Sequence, residues 1–135
     1  MLHCQNPTTM TVEQDFPTCI EAQFLGGSGS GERPTGNLCT PNTDVHFADT
    51  LFTNHCISST SATYATEDWV SIDMIVYGDS IIHHVVEGDT VLTYTKPQIS
   101  EGEPNAGTPV KEGYISLQAE SHPIEFRKVA LKELN

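Results

Sequence analysis

Apolar and polar positions alternate with a period of two over much of the second half of the chain, which predicts strands rather than helices. From Trp69 to Val76, Val70, Ile72, Met74 and Val76 fall on one side, and Trp69, Ser71, Asp73 and Ile75 on the other. That is the pattern of a half-buried strand. Gly78-Asp79-Ser80 supplies a tight turn, because glycine and aspartate tolerate the backbone angles it needs. Ile81 to Glu87 is the returning strand, rich in β-branched residues. Gly88-Asp89 marks a second turn and Thr90 to Thr95 a third strand. Three strands joined by short turns make an antiparallel meander. Pro97 to Pro109 holds three prolines, two glycines and two acidic residues, and reads as a loop. Gly113 to Ala119 resumes as a strand, with Ile115 and Leu117 on one face. After a turn at Ser121-His122-Pro123, Ile124 to Leu134 is expected to be the last strand, with a bulge near Arg127 or Lys128 where the register changes.

The first half is less regular. Thr18 to Leu25 alternates, with Cys19, Glu21, Gln23 and Leu25 on one face and Thr18, Ile20, Ala22 and Phe24 on the other. Gly26 to Gly36 carries five glycines and one proline, a loop composition. It lacks the lysine and hydroxyl of a phosphate-binding loop. Val45 to Phe52 and Asn54 to Ser58 suit short strands, and Ser58 to Asp68 a polar loop. No segment has helical periodicity. The pattern as a whole predicts one all-β domain, a sandwich or jelly roll of antiparallel sheets over residues 1–135.

Composition narrows the partners. The chain has 135 residues, 18 acidic and 6 basic, for a formal net charge of −12. Such a surface repels phosphate backbones and anionic lipids, so neither nucleic acid nor membrane is expected as a partner. A neutral, hydroxyl-rich ligand meets no such barrier. No apolar run approaches the roughly 18 residues that a spanning helix needs. The four cysteines, Cys4, Cys19, Cys39 and Cys56, have no zinc-ligand spacing, and four allow three full pairings.

Several short motifs, taken in order, resemble a known family. Gly113-Tyr114-Ile115-Ser116-Leu117-Gln118 followed by Ile124-Glu125-Phe126-Arg127 resembles the closing strands of the 3-keto-disaccharide hydrolase family. The succession Trp69, Gly78, His84 and Glu87-Gly88 is similar to that family's order, as are Ile20-Glu21-Ala22-Gln23 and Thr35-Gly36 further upstream. The resemblance implies a concanavalin A-like jelly roll and a carbohydrate substrate. Where the family tends to have Trp-Asn and Asn-Gly, this chain has Trp69-Val70 and Glu87-Gly88, so no role attached to those asparagines carries over. Thr35-Gly36-Asn37-Leu38-Cys39 stands where many members have a tyrosine. Family domains are longer, and Met1-Leu2-His3-Cys4-Gln5 looks like the inside of a strand. The expectation is therefore a domain without its first strands, whose exposed sheet edges are covered either by a partner chain, as in a homo-oligomer, or by an unusual edge arrangement.

The resemblance directs attention to Glu21 and Gln23, roughly 7 Å apart on one strand face. That spacing suits a general base beside a hydroxyl-binding amide, although a solvated outer face would look the same. His3 is expected on the neighbouring strand as a second catalytic candidate. Arg33, in the glycine-rich loop, Gln118 and His84 are the further substrate-binding candidates. His83 and His84 point to opposite faces, so only one of them can meet a ligand. His46 and His55 flank Cys56 without a recognised metal spacing, and neither a metal site nor a cofactor is expected; no motif supports a structural calcium. Cys39 and Cys56 bracket a segment of suitable length for a disulfide, a pairing favoured over Cys4 with Cys19, though both can coexist. Trp69 reads as a core or sheet-edge anchor more than as a sugar platform.

The expected activity is base-assisted cleavage of a 3-keto-glycoside, by a periplasmic or extracellular enzyme. A non-catalytic carbohydrate-binding module on the same fold is the alternative.

Overall fold

The computed structural model describes residues 1–134. Its strands are β1 (Glu21–Gln23), β2 (Asn37–Cys39), β3 (Thr43–Phe47), β4 (Thr50–Phe52), β5 (Cys56–Ile57), β6 (Ile72–Tyr77), β7 (Ile81–Val86) and β8 (Asp89–Ile99). Among the described residues the only helical element is a 3₁₀ turn, Pro7–Thr9, whose first turn is capped by the Asn6 side chain. The chain is an all-β sandwich of two antiparallel sheets. One has the order β4-β3-β8-β7-β6 and the other β1-β2-β5.

The meander read from the alternation is present as β6, β7 and β8, with Met74 opposite His84 and His84 opposite Leu92. β8 runs further than the sequence suggested, through Pro97 to Ile99. The reason is a bulge. His46 pairs with Thr95 and Asp44 with Gln98, so Lys96 and Pro97 together oppose Val45. A bulge leaves a residue without its ladder bond, which is where an inner strand can hold a proline. Lys96 takes a φ of 47° there.

Bridges between Leu2 and Ile20, and between Cys4 and Tyr114, extend the smaller sheet beyond β1. Ser116 N–H donates to the Met1 carbonyl at 3.1 Å, so residues 114–116 form its irregular outer margin. The backbones lie very close here. A Cβ at residue 113 would come within 2.6 Å of the His3 and Cys4 main chain, which only glycine permits.

The core lies between the sheets. Ile20 and Leu38 from the smaller sheet meet Val45, Ile82 and Tyr94 from the larger, with Phe47, Phe52, Met74 and Leu92 packed around them. Ile20, Leu38, Val45 and Ile82 have no exposed surface. Contacts of this kind supply most of what holds such a sandwich together, at about 25 cal/mol for each Å² of apolar surface removed from water.

Two expectations fail at the C-terminus. Neither Gly113 to Ala119 nor Ile124 to Leu134 forms a regular strand, and Ile115, Leu117, Val129, Leu131 and Leu134 are all exposed. Alternation alone does not make a strand; the backbone also needs a ladder neighbour, and here the pairing stops at Ser116. Trp69 lies not in the core but just ahead of β6, an edge strand of the larger sheet. It is 48 % exposed, with the Arg127 guanidinium 3.9 Å above its ring.

Candidate functional site

Ile20 and Ala22 face the core side of the smaller sheet, so Glu21 and Gln23 project from the opposite face. In register, Glu21 stands opposite Cys39 and Gln23 opposite Asn37, while Cys39 stands opposite Cys56. Cys39 and Cys56 are joined by a disulfide, as their spacing suggested. Neighbouring strands thus bring one carboxylate, two carboxamides and a cystine onto a single outer face.

Asn37 is the fixed point of this row. Its Nδ2 donates to Gln23 Oε1 at 3.2 Å and to the Pro34 carbonyl at 3.0 Å, and its Oδ1 accepts from Ser59 N–H at 2.9 Å. With the oxygen of Gln23 engaged, its Nε2 is the group left to meet a ligand. Asn37 itself is 5 % exposed. Sequence reasoning missed it, because it ends a glycine-rich loop and opens a strand of only three residues.

Glu21 is 7 % exposed. Among the described residues its carboxylate makes no hydrogen bond, yet no buried side-chain oxygen there lacks a partner, so water still reaches it. Burial raises its pKa above the ordinary glutamate value of 4.5. The nearby Glu120 carboxylate adds to the rise, while the Met1 ammonium and, less strongly, His55 oppose it. A reachable carboxyl whose pKa is raised is a stronger base than an ordinary glutamate. His55 enters this site only through tertiary structure, from an irregular segment before β5.

The other candidates lie elsewhere. His3 is half-buried on the segment next to β1, but its ring turns away from Glu21, and Nε2 lies 3.3 Å from the Gly78 carbonyl. A carbonyl can only accept, so Nε2 carries the proton and Nδ1 is left as the acceptor. Burial lowers its pKa, with Gly78, Asp79 and Glu112 pulling the other way. It borders an open cleft of about 330 Å³ shared with Asn6, Thr18, Glu112 and Tyr114. The structure does not bring His3 and Glu21 together.

Arg33 braces the glycine-rich loop. Its guanidinium donates to the Gly26 carbonyl, and its backbone N–H donates to Thr63 Oγ1 at 2.6 Å. A second open cleft, about 400 Å³, lies between that loop and Thr63–Glu67. Gln118 Nε2 donates to Glu120 Oε2 at 3.2 Å, and Glu120 is the carboxylate whose charge acts on Glu21. His84 has no exposed surface. Its Nδ1–H donates to the Gly36 carbonyl at 2.8 Å and its Nε2 accepts from the Tyr94 hydroxyl at 2.9 Å. Both ring nitrogens are used inside the core, which leaves none for a ligand. Among the described residues no group of three His, Cys, Asp or Glu side chains could hold a metal ion.

A family model described as a 3-keto-alpha-glucoside-1,2-lyase-like domain matches residues 1–132. No curated protein and no solved structure gives a match.

Proposed function

Because the chain belongs to the 3-keto-alpha-glucoside-1,2-lyase-like domain family, we propose that it cleaves 3-keto-glycosides with Glu21 as the base. The observation that carries this reading is the Glu21 carboxylate, raised in pKa, reachable by water and bound to no donor among the described residues. A ketone at C3 acidifies the C2 hydrogen. Glu21 takes that proton, the electron pair closes a C1–C2 double bond, and the C1–oxygen bond breaks. The leaving alkoxide takes a proton back from Glu21 or from water, and hydration of the unsaturated sugar completes a net hydrolysis. Gln23 Nε2, aimed by Asn37, donates to a ring hydroxyl or to the keto oxygen. One carboxylate suffices here, whereas ordinary glycosidases use a pair at a set separation.

The Cys39–Cys56 disulfide supports a site of action outside the reducing cytoplasm. A second reading, a carbohydrate-binding module without catalysis, is favoured by one observation. Both open clefts are lined by residues other than Glu21 and Gln23. Incubation with a 3-keto-glucoside separates the two readings. Release of the aglycone, lost in Glu21→Gln, supports the enzyme. Binding without release, equal in wild type and Glu21→Gln, supports the module and removes Glu21 as the base.

A further inference from the structure

We propose that Cys4 and Cys19 are a second disulfide site, formed by oxidation of the folded chain, which ties the segment around His3 to β1. Both side chains are buried, at 4 % and 0 % exposure, and both are free thiols in this structure. The backbone holds them on adjacent antiparallel segments. Leu2 and Ile20 exchange hydrogen bonds of 2.7 and 3.0 Å on one side, and Gln5 N–H donates to the Thr18 carbonyl at 2.9 Å on the other. Between the Leu2–Ile20 pair and the Gln5–Thr18 bond, His3 and Cys4 together stand opposite Cys19. Cys19 is further fixed by its carbonyl, which accepts from Thr43 Oγ1 at 2.7 Å, and Cys4 by its paired bonds with Tyr114. Residues opposite each other on paired antiparallel segments lie about 4.5–5.5 Å apart between Cα atoms, within the range a disulfide accepts.

The chemistry within the pair is polarised. The neighbouring Cys19 thiol lowers the Cys4 pKa, against the opposing effect of burial, while Cys4 and burial together push Cys19 upward. Cys4 is therefore the attacking thiolate and Cys19 the resolving thiol. With a small-molecule disulfide as oxidant, the Cys4 thiolate attacks one sulfur and expels one thiolate, giving a mixed disulfide. Cys19 then loses its proton to that thiolate or to water, attacks Cys4 Sγ and releases the second thiol. One disulfide is consumed, one is formed, and two thiols leave. Cys4 itself lines the open cleft of about 330 Å³ beside His3, which gives a small-molecule disulfide its approach.

The test uses the whole chain and oxidised glutathione. After incubation and trapping with N-ethylmaleimide, non-reducing peptide mapping is expected to show Cys4 joined to Cys19 beside the Cys39–Cys56 pair. Cleavage after the exposed Glu13 by a glutamate-specific protease should leave the two flanking fragments connected until reductant is added. In Cys19→Ser, Cys4 should stop at a stable glutathione adduct. Recovery of both residues as maleimide adducts, or of Cys4 or Cys19 joined to Cys39 or Cys56, overturns the proposal. So does a Cys4 that stays unmodified in Cys19→Ser, since its sulfur would then be out of reach. None of these readouts depends on glycoside cleavage, so the disulfide and the proposed activity stand or fall separately.

Discussion

Replacing His84 with leucine tests how a buried imidazole is held in the core. Its folded-state pKa is lowered from 6.5 to about 4, first by burial, against the opposing pull of the Gly36 carbonyl. The neutral ring fits its surroundings: Nδ1–H faces a carbonyl and Nε2 faces the Tyr94 hydroxyl. A lowered folded pKa means that between about pH 6.5 and 4 the unfolded chain binds a proton that the native chain refuses. The resulting stability is complete above pH 6.5 and is lost as pH falls toward 4. A gap of about two and a half pH units is worth roughly 3 kcal/mol, a large share of the 5–15 kcal/mol or so typical of a domain.

Urea unfolding at several pH values reads this directly. At pH 7 His84→Leu should be less stable than wild type, because it leaves the Gly36 carbonyl and the Tyr94 hydroxyl without their partner. Down to pH 4 the difference should shrink by about 3 kcal/mol as the wild type alone gives up the histidine contribution. His3 and Glu21 titrate in both proteins, so the difference isolates His84. Parallel curves from pH 7 to pH 4 would refute the reasoning, since His84 would then be no harder to protonate in the native state than in the unfolded chain. Tyr94→Phe separates the parts: it should cost about 1–3 kcal/mol by stranding Nε2, yet keep the pH dependence.

Five further outcomes are expected. Gly36→Ala should destabilise by more than about 1 kcal/mol, because φ there is +68° and a Cβ would lie 2.9 Å from Val86 Cγ2; thermal unfolding measures it. Replacing Cys39 and Cys56 by serine should cost about 3 kcal/mol for a crosslink spanning 17 residues, read as a lower urea midpoint. Glu21→Gln should reduce 3-keto-glucoside cleavage by about 10²–10⁴-fold with the fold intact. In the wild type the rate should rise with pH through a pKa above 4.5, because the base must be ionised. Leu131→Asp should change stability by less than about 0.5 kcal/mol, since Leu131 is 80 % exposed; a larger loss would mean that this segment packs against the body.

The alternation from Ile72 to Thr95 sufficed to read β6, β7 and the first part of β8, because short turns leave the backbone one easy way to pair. The Cys39–Cys56 bond was legible for a related reason, as a short loop limits where its ends can go. The pair Glu21 and Gln23 was visible as a polar face on an alternating segment. What that face meets was not visible. Asn37, His55 and Glu120 reach it from three separate stretches of chain, and no local pattern encodes contacts between them. His84 shows the same limit. A histidine in a strand reads equally well as a ligand or as a core residue, and only the Gly36 carbonyl and Tyr94 hydroxyl, brought to its two nitrogens by other strands, decide which. The C-terminal alternation failed for the complementary reason. A period of two fixes which side chains share a face, but whether the backbone becomes a strand depends on a neighbour, and only the tertiary structure supplies or withholds one.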